Sequence, residues 1–137
     1  MTIEYKGGYR YQLKKTYAYI NDMLPAVMIT TQYITLYANG RLVINKGYAW
    51  DGASGPVINT KSVARASLVH DALYQLIRTG VLKKEDRSTA DKIFRQICIE
   101  DGMGPIRAWY MYHALRHFAP AFLKISGSYE RTLKTSP

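Results

Sequence analysis

The sequence is poor in cysteine, with Cys98 alone among 137 residues. A single cysteine cannot form a disulfide within the chain, and it cannot supply the paired cysteines of a zinc finger. This count is consistent with a reducing compartment. Cys98 lies on the apolar side of a helical pattern, so we expect it to be a small buried hydrophobe.

Long apolar runs are also absent. No stretch of about 18 consecutive apolar residues occurs in the chain, so we expect no transmembrane helix. The first residues, MTIEYKGGYRYQLKK, hold no apolar core of the kind that a signal peptide needs, and export is therefore not expected.

Acidic residues are scarce relative to basic ones. Ten Asp and Glu stand against 19 Lys and Arg, which gives a formal net charge of +9. A basic surface favours partners such as nucleic acid, anionic lipid headgroups or an acidic protein. The alternative interpretation is that the charge serves solubility alone.

The residues that are present indicate one domain over 1–137, with two halves of different character. Segments Tyr9 to Ile20 and Ala26 to Tyr37 are rich in β-branched and aromatic residues, which predicts strands within a strand-rich region, 8–46. Asn39-Gly40 follows between ITLYA and RLVIN, and it predicts a hairpin with a type I′ turn.

A glycine-rich loop, 47–60, separates this region from a helical half, 62–118. Gly80 suits a position just after a helix, and Ser88 suits the N-cap of the next one. The predicted helices are Ser62 to Thr79, Ser88 to about Glu100, and about Gly104 to Phe118, before a polar tail, 126–137. We therefore predict an α+β fold in which an N-terminal antiparallel β-sheet with hairpins packs against a C-terminal three-helix unit.

The stretch LVHDALYQ places two polar residues, His70 and Asp71, inside an otherwise apolar helix. They lie about 100° apart on a helical wheel and can share one edge. If the next helix returns alongside, Asp91 can reach His70, and its carboxylate on one imidazole nitrogen makes the other nitrogen a better base toward water. The alternatives are structural: His70 as a boundary histidine, Tyr74 as a core residue, and Asp91 as a first-turn acid in a Ser88 capping pattern.

Asp71 and the loop WDGASGP form a candidate cation site. Calcium prefers carboxylate and carbonyl oxygens, and glycines let a loop turn its carbonyls inward. The candidate ligands are Asp71 with the loop residues Trp50, Asp51, Gly52, Ser54 and Gly55. A bound cation would stabilise the oxyanion that forms when water attacks an ester. The alternative is that Asp51-Gly52 is a turn, and that the loop only fixes the sheet to the helices through Trp50.

The motif HDALY, followed by a glycine, a polar connection and TADKIF, resembles the site of the calcium-dependent phospholipase A family, above all its cysteine-free form in parvovirus capsid proteins. That family has His-Asp-x-x-Tyr on one helix, an Asp on an antiparallel helix and a glycine-rich calcium loop upstream. The resemblance implies that His70 is the general base, that Asp91 orients His70, and that Tyr74 binds Asp91. It also implies that Asp71 and loop carbonyls hold calcium. The calcium-loop glycines of the family do not map cleanly onto DGASGP, and the strand-rich third has no counterpart there.

A second resemblance covers more of the chain. WDGASGP, then RASLVHDALYQL, then AD before a helix rich in Arg and Tyr, is similar to a family of unknown function found in tailed phages and prophages, over about Tyr48 to Phe118. The resemblance implies a phage or prophage source and a place in the virion or the host cytoplasm. It implies no established activity.

The third predicted helix carries two further patterns. His113 and His117 have a spacing that can bind zinc, but no third ligand is evident. Basic and aromatic residues alternate along this helix, as they do in some nucleic-acid-binding proteins. The packing of an amphipathic helix with arginines that reach solvent is favoured over both, so nucleic acid is not an expected partner.

Two functional hypotheses follow. The first is a calcium-dependent hydrolase of an ester, with phospholipid as the first candidate substrate, that acts at the host envelope, where a basic surface would suit anionic lipid. The second is a non-catalytic virion protein of the tail or baseplate. Its HD motif would be a buried polar network, and its tyrosine-rich strands would contact other virion proteins.

Overall fold

The computed structural model describes residues 5–6, 11–50 and 61–117. Short strands come first and helices follow. The strands are β1 (Tyr5–Lys6), β2 (Tyr11–Leu13), β3 (Tyr17–Ile20), β4 (Ile29–Thr30), β5 (Ile34–Leu36), β6 (Arg41–Ile44) and β7 (Ala49–Trp50). The helices are α1 (Lys61–Arg78), α2 (Asp86–Glu100) and α3, which is helical over 105–117. The predicted α+β fold is confirmed.

The strands divide between two antiparallel sheets. One has the order β1-β2-β7, and the other has the order β3-β6-β5-β4. In the second sheet, β6 pairs with β3 on one side and with β5 on the other, so that Leu42 lies opposite Tyr19 and Leu36. The prediction of antiparallel strands with hairpins is confirmed, although it did not separate the two sheets.

Each of the two long predicted strands is broken into two short ones. The segment Tyr9 to Ile20 holds β2 and β3, which belong to different sheets, so the chain changes sheet at 14–16. The segment Ala26 to Tyr37 holds β4 and β5, which pair as a hairpin. The hydroxyl of Thr31 donates to the carbonyl of Ile34 and accepts from its N–H, and these two bonds close the turn.

The Asn39-Gly40 hairpin is present between β5 and β6, but the predicted turn type is wrong. A type I′ turn needs positive φ at both central residues, and in the described part of the chain only glycines have positive φ. The N–H of Gly40 (φ 91°) donates to the carbonyl of Tyr37 at 2.9 Å, and the N–H of Tyr37 donates to that of Arg41 at 2.9 Å. This pattern is a type I turn followed by a left-handed glycine. Any Cβ at Gly40 would lie 2.1 Å from the carbonyl oxygen of Asn21, so no larger residue fits there.

The predicted glycine loop begins later than 47, because Ala49–Trp50 forms β7 and pairs with β2. Trp50 is buried, and its indole N–H donates to Oγ of Ser67 on α1 at 3.1 Å. This bond ties the smaller sheet to the first helix, as the structural alternative for the loop predicted. The rest of that loop, 51–60, lies outside the described residues.

Strands and helices share one hydrophobic core. Its members include Leu13, Tyr17, Ile34, Leu36, Leu42, Ile44, Val63, Leu73, Leu76, Phe94, Ile97, Met111 and Leu115. Cys98 belongs to this core, and its burial raises the pKa of the thiol to about 12. The prediction that Cys98 is a buried small hydrophobe is therefore confirmed.

The helix ends follow the sequence at their C-termini but not at the start of α2. Gly80 and Gly102 have positive φ, and each closes a Schellman motif. The N–H of Val81 donates to the carbonyl of Leu76 in the first, and the N–H of Met103 donates to the carbonyl of Cys98 in the second. The predicted N-cap, Ser88, is wrong, because α2 begins at Asp86. None of the described helices is long and apolar enough to cross a bilayer.

Arg65 fixes α1 to both neighbouring parts of the fold. Its guanidinium makes paired hydrogen bonds to Asp101 at 3.0 and 2.9 Å, and it also binds Glu100 at 2.7 Å, both at the end of α2. Its remaining Nη1 donates to the hydroxyl of Tyr17 in β3 at 2.8 Å. Because a buried guanidinium needs such partners, this Arg65 cluster sets where β3, α1 and α2 meet.

Candidate functional site

The candidate site lies where α1 and α2 pack together. His70 and Tyr74 are four residues apart on α1 and therefore lie on one face of the helix. Asp91 lies in the second turn of α2, since that helix begins at Asp86 rather than Ser88. The earlier start brings Asp91 level with His70 and leaves it beyond the first turn, so the predicted capping role does not apply to it.

Two residues of α1 converge on one oxygen of Asp91. Nε2 of His70 lies 2.7 Å from Oδ1 of Asp91, and the hydroxyl of Tyr74 donates to the same oxygen at 2.6 Å. The sequence predicted that these three residues could meet, and the structure brings them together. Hydrogen bonds to an ionised carboxylate are stronger than those between neutral groups, so the contact joins the two helices firmly.

Two aromatic rings hold the imidazole in place. The ring of Tyr74 lies 4.1 Å from that of His70, centroid to centroid, at an interplanar angle of 34°. Phe94 meets the imidazole edge-on from α2 at 5.4 Å. Because both neighbours are buried, His70 keeps one orientation toward Asp91.

A fourth residue completes the site, and no sequence pattern predicts this role for it. Nη1 of Arg116, on α3, donates to Oδ2 of Asp91 at 2.8 Å. The pattern of α3 predicts arginines that reach solvent, and the side chain of Arg116 is 31% exposed. It nevertheless reaches a carboxylate that is fully buried. No motif pairs it with Asp91, because the contact depends on how α3 packs.

The hydrogen bonds determine the charge state of Asp91. Burial alone would raise the pKa of this carboxyl, but the bonds from His70, Tyr74 and Arg116 outweigh it, and the pKa is lowered. Burial, together with the charge of Asp91, raises the pKa of the Tyr74 hydroxyl, which keeps its proton. The bond to Asp91 raises the pKa of Arg116. Asp91 is therefore an anion at neutral pH.

The anionic state of Asp91 fixes the tautomer of His70. A carboxylate only accepts hydrogen bonds, so Nε2 of His70 must carry a proton. In the neutral imidazole, the lone pair then resides on Nδ1, which becomes the basic nitrogen. This arrangement is that of a carboxylate-oriented general base.

The site is deeply enclosed. His70 is 2% exposed and Asp91 is 0% exposed. A cavity of about 370 Å³ lies elsewhere, between the β4–β5 turn, the segment that leads into β7, and the end of α1. Tyr33, Tyr48 and Gln75 line it. Its lining includes none of the residues that contact Asp91.

Only two of the predicted cation ligands, Asp71 and Trp50, lie among the described residues. Asp71 lies on α1 and is buried, and the indole of Trp50 is bound to Ser67. The other predicted ligands, Asp51, Gly52, Ser54 and Gly55, lie outside the described residues. Within the described ranges, no three His, Cys, Asp or Glu side chains are grouped to hold a metal ion. The calcium site therefore stays a prediction, and the contacts among His70, Tyr74, Asp91 and Arg116 do not depend on it.

The two histidines of α3 are exposed. The ring of His113 packs against Trp109 at 4.2 Å, centroid to centroid. Neither His113 nor His117 belongs to a metal-binding group among the described residues.

The comparisons with known proteins identify a family. Residues 26–115 match a family described as a protein of unknown function (DUF1353). The match contains His70, Tyr74 and Asp91 and ends one residue before Arg116. No curated protein and no solved structure matches the chain. Because the match covers more than half of its length, the chain belongs to the DUF1353 family.

Proposed function

We propose that this chain hydrolyses an ester bond, with phospholipid as the substrate class, through a water molecule that His70 activates. The observation that supports the proposal is the 2.7 Å contact between Nε2 of His70 and Oδ1 of Asp91, with the Tyr74 hydroxyl on the same oxygen. The calcium-dependent phospholipase A family, which the motif resembles, uses the same residue types in these roles.

In the proposed reaction, His70 carries the proton from the attacking water to the departing alcohol. Nδ1 takes a proton from water while the water oxygen attacks the ester carbonyl carbon, which forms a tetrahedral anion and an imidazolium. The carbon–oxygen bond to the alcohol then breaks, and the imidazolium returns its proton to the departing alkoxide. The products are a carboxylic acid and an alcohol. The Asp91 carboxylate favours the imidazolium and holds its ring.

Tyr74 and Arg116 are positioning residues in this proposal. Tyr74 shares Oδ1 of Asp91 with the imidazole, and Arg116 holds Oδ2. With both oxygens bound, the carboxylate cannot rotate away from His70. The guanidinium also keeps Asp91 ionised, because its charge favours the anion.

The proposal extends to source and cofactor on the strength of the sequence resemblances. A phage or prophage protein that acts at the host envelope, from the virion or from the host cytoplasm, would meet phospholipid there. Calcium is proposed as the cofactor. Among the described residues, the side chain of Asp71 is the proposed ligand.

The test is the release of fatty acid from vesicles of phosphatidylcholine and phosphatidylglycerol, with calcium and with a chelator. We expect release by the wild type and a loss of at least about a thousandfold in His70→Gln, because His70 is the base of the proposed reaction. Tyr17→Phe is the matched control, since it removes a buried tyrosine hydroxyl from the Arg65 cluster. Equal rates in wild type and His70→Gln, or no release at all, would contradict the proposal. Equal rates with and without calcium would remove the metal from it.

The burial of the site favours a second candidate, a structural protein of a phage virion. His70 is 2% exposed, and both oxygens of Asp91 are bound within the fold. In this alternative, the network only joins the three helices, and the protein assembles with other tail or baseplate proteins. We would then expect His70→Gln to lower stability, the protein to bind purified virion proteins, and no variant to differ in ester hydrolysis. A wild-type protein that binds no virion protein would contradict this candidate.

A further inference from the structure

Helix α3 has two apolar faces, of which only one is covered. Ala108, Met111 and Leu115 are buried against the rest of the fold. On another side of the helix, Ile106 is 75% exposed, Trp109 47% and Tyr110 65%. These three residues, the α3 outer face, lie at i, i+3 and i+4 and therefore form one patch.

We propose that the α3 outer face binds the surface of a lipid bilayer that carries anionic headgroups. The inference rests on the proposed function and deepens it, because it names the surface through which the site would meet phospholipid. Large exposed apolar side chains that cluster on one helix face mark an interaction surface.

The residue types of the patch suit a bilayer surface. Tryptophan and tyrosine have an apolar body and a polar end, and they are enriched where the acyl chains of a membrane meet its headgroups. Ile106 adds a purely aliphatic side chain beside them. The rings of Trp109 and Tyr110 lie edge to face at 5.3 Å, centroid to centroid, so they present one continuous surface.

The charge around the patch selects anionic lipid. Residues 102–117 contain no Asp or Glu, whereas they contain the exposed Arg107 and also Arg116, whose guanidinium binds Asp91. The nearest acid before them, Asp101, has its carboxylate bound by Arg65. The whole chain carries +9. Basic side chains near a bilayer gain about 1 kcal/mol each from anionic headgroups, so the charges and the apolar residues act together.

The same helix reaches the candidate site. Arg116 lies on α3 and donates to Asp91, which also binds His70. A bilayer on the α3 outer face would thus lie against a helix that contacts Asp91. The exposed Val27 and Met28, by contrast, lie before β4 in the strand-rich part of the chain.

Vesicle sedimentation tests the inference without any cleavage, if the vesicles consist of ether-linked lipids that have no ester bond. One set carries phosphatidylcholine headgroups alone, and the other carries equal parts of phosphatidylcholine and phosphatidylglycerol headgroups. We expect the wild type to bind the anionic set at least about tenfold more tightly than the neutral set. Raising the salt from about 0.1 M to about 1 M should weaken that binding, because screening shortens the reach of charge.

Two double variants locate the surface. The pair Trp109→Gln and Tyr110→Gln should weaken binding to anionic vesicles by at least about tenfold. The matched control, Val27→Gln with Met28→Gln, removes as many exposed apolar side chains elsewhere and should bind as the wild type does. Trp109 also reports directly, because Trp50 is buried and only Trp109 can enter the lipid. Vesicles should therefore shift the wild-type fluorescence to the blue, and in Trp109→Phe they should not.

Several results would overturn the inference. They are no binding of the wild type to anionic vesicles, equal binding to both vesicle sets, or equal loss in the two double variants. Analytical ultracentrifugation could also show that the wild type is a dimer and that the Trp109→Gln and Tyr110→Gln variant alone is a monomer. The α3 outer face would then bind a second copy of the chain and not a bilayer. Binding by His70→Gln should equal that of the wild type, so a failure of the hydrolase proposal leaves this result intact. If the wild type hydrolyses a soluble short-chain ester but binds no vesicles, this inference is wrong, whereas the proposed ester hydrolysis stands.

Discussion

Helix α1 contributes to two buried charged clusters that have similar composition and opposite central charge. In the Arg65 cluster a cation near the start of α1 binds Tyr17, Glu100 and Asp101. In the Asp91 cluster an anion on α2 binds His70, Tyr74 and Arg116. Each cluster has a buried charge at its centre, a tyrosine hydroxyl and at least one opposite charge beside it.

The two clusters differ in whether a proton can move. The guanidinium of Arg65 stays protonated at every pH of interest. Burial alone would lower its pKa, but the hydrogen bonds to Asp101, Tyr17 and Glu100 outweigh burial and raise it. The Asp91 cluster contains an imidazole, a group that can act as a general acid and base. Burial and ion pairing are thus common to structure and catalysis, and the histidine is what makes one cluster a candidate active site.

The largest effect is expected from removing the centre of the Asp91 cluster. Asp91→Ala should lower the free energy of unfolding by about 3–5 kcal/mol, because it leaves His70, Tyr74 and Arg116 without their shared acceptor. Urea denaturation measures this change. Asp91→Asn keeps the shape and one acceptor oxygen and should cost less. Equal losses in both variants would mean that shape rather than charge holds the cluster.

The matching change in the other cluster should cost less. Arg65→Met should lower the free energy of unfolding by about 2–3 kcal/mol, because Glu100 and Asp101 are partly exposed and water can replace the guanidinium. Ester hydrolysis by the folded variant should stay at the wild-type rate. If Arg65→Met loses hydrolysis while it stays folded, the Arg65 cluster is not purely structural, and the proposed difference between the two clusters is wrong.

The two tyrosines provide a matched pair. Tyr74→Phe and Tyr17→Phe should each lower the free energy of unfolding by about 1–2 kcal/mol, since each loses one hydrogen bond to a charged partner. Only Tyr74→Phe should lower the rate of ester hydrolysis, because only its hydroxyl binds the acid that orients His70. Equal rates in the two variants would show that the Tyr74 bond serves stability alone.

The smallest effect is expected from mild acidification. The pKa of Asp91 is lowered in the fold, so its contribution to stability is present above the unfolded pKa, about 3.9, and is lost as the pH falls through the folded value. Denaturation at a series of pH values should therefore show a steeper loss below about pH 4 in the wild type than in Asp91→Asn. Glu100 also has a lowered pKa, but it is partly exposed, and solvent screening reduces its share. Parallel curves for the two proteins would contradict the low pKa of Asp91.

The part of the site that the sequence predicted is the part fixed by local spacing. His70 and Tyr74 are four residues apart, so any helix places them on one face. Asp91 follows after a short connection, which makes an antiparallel return of the chain expected. Arg116 lies 25 residues after Asp91, and its contact depends on the packing of α3, for which periodicity carries no signal.

The fold shows the same limit. Gly80 and Gly102 mark helix ends that depend on local backbone geometry, and the prediction for Gly80 is confirmed. The segment from Tyr9 to Ile20 looks like one strand because its residues favour β-structure throughout, but β2 and β3 belong to different sheets. The turn at Gly40 depends on the nearby carbonyl of Asn21, which lies in another part of the chain.

The lone cysteine has a practical consequence. Cys98 is buried, and the raised pKa of its thiol, about 12, leaves almost none of it as the reactive thiolate at neutral pH. A maleimide should therefore label the native protein only when the core opens, so the labelling rate would report the frequency of opening events directly. Probes attached at cysteines introduced on the surface would need no prior removal of the native one.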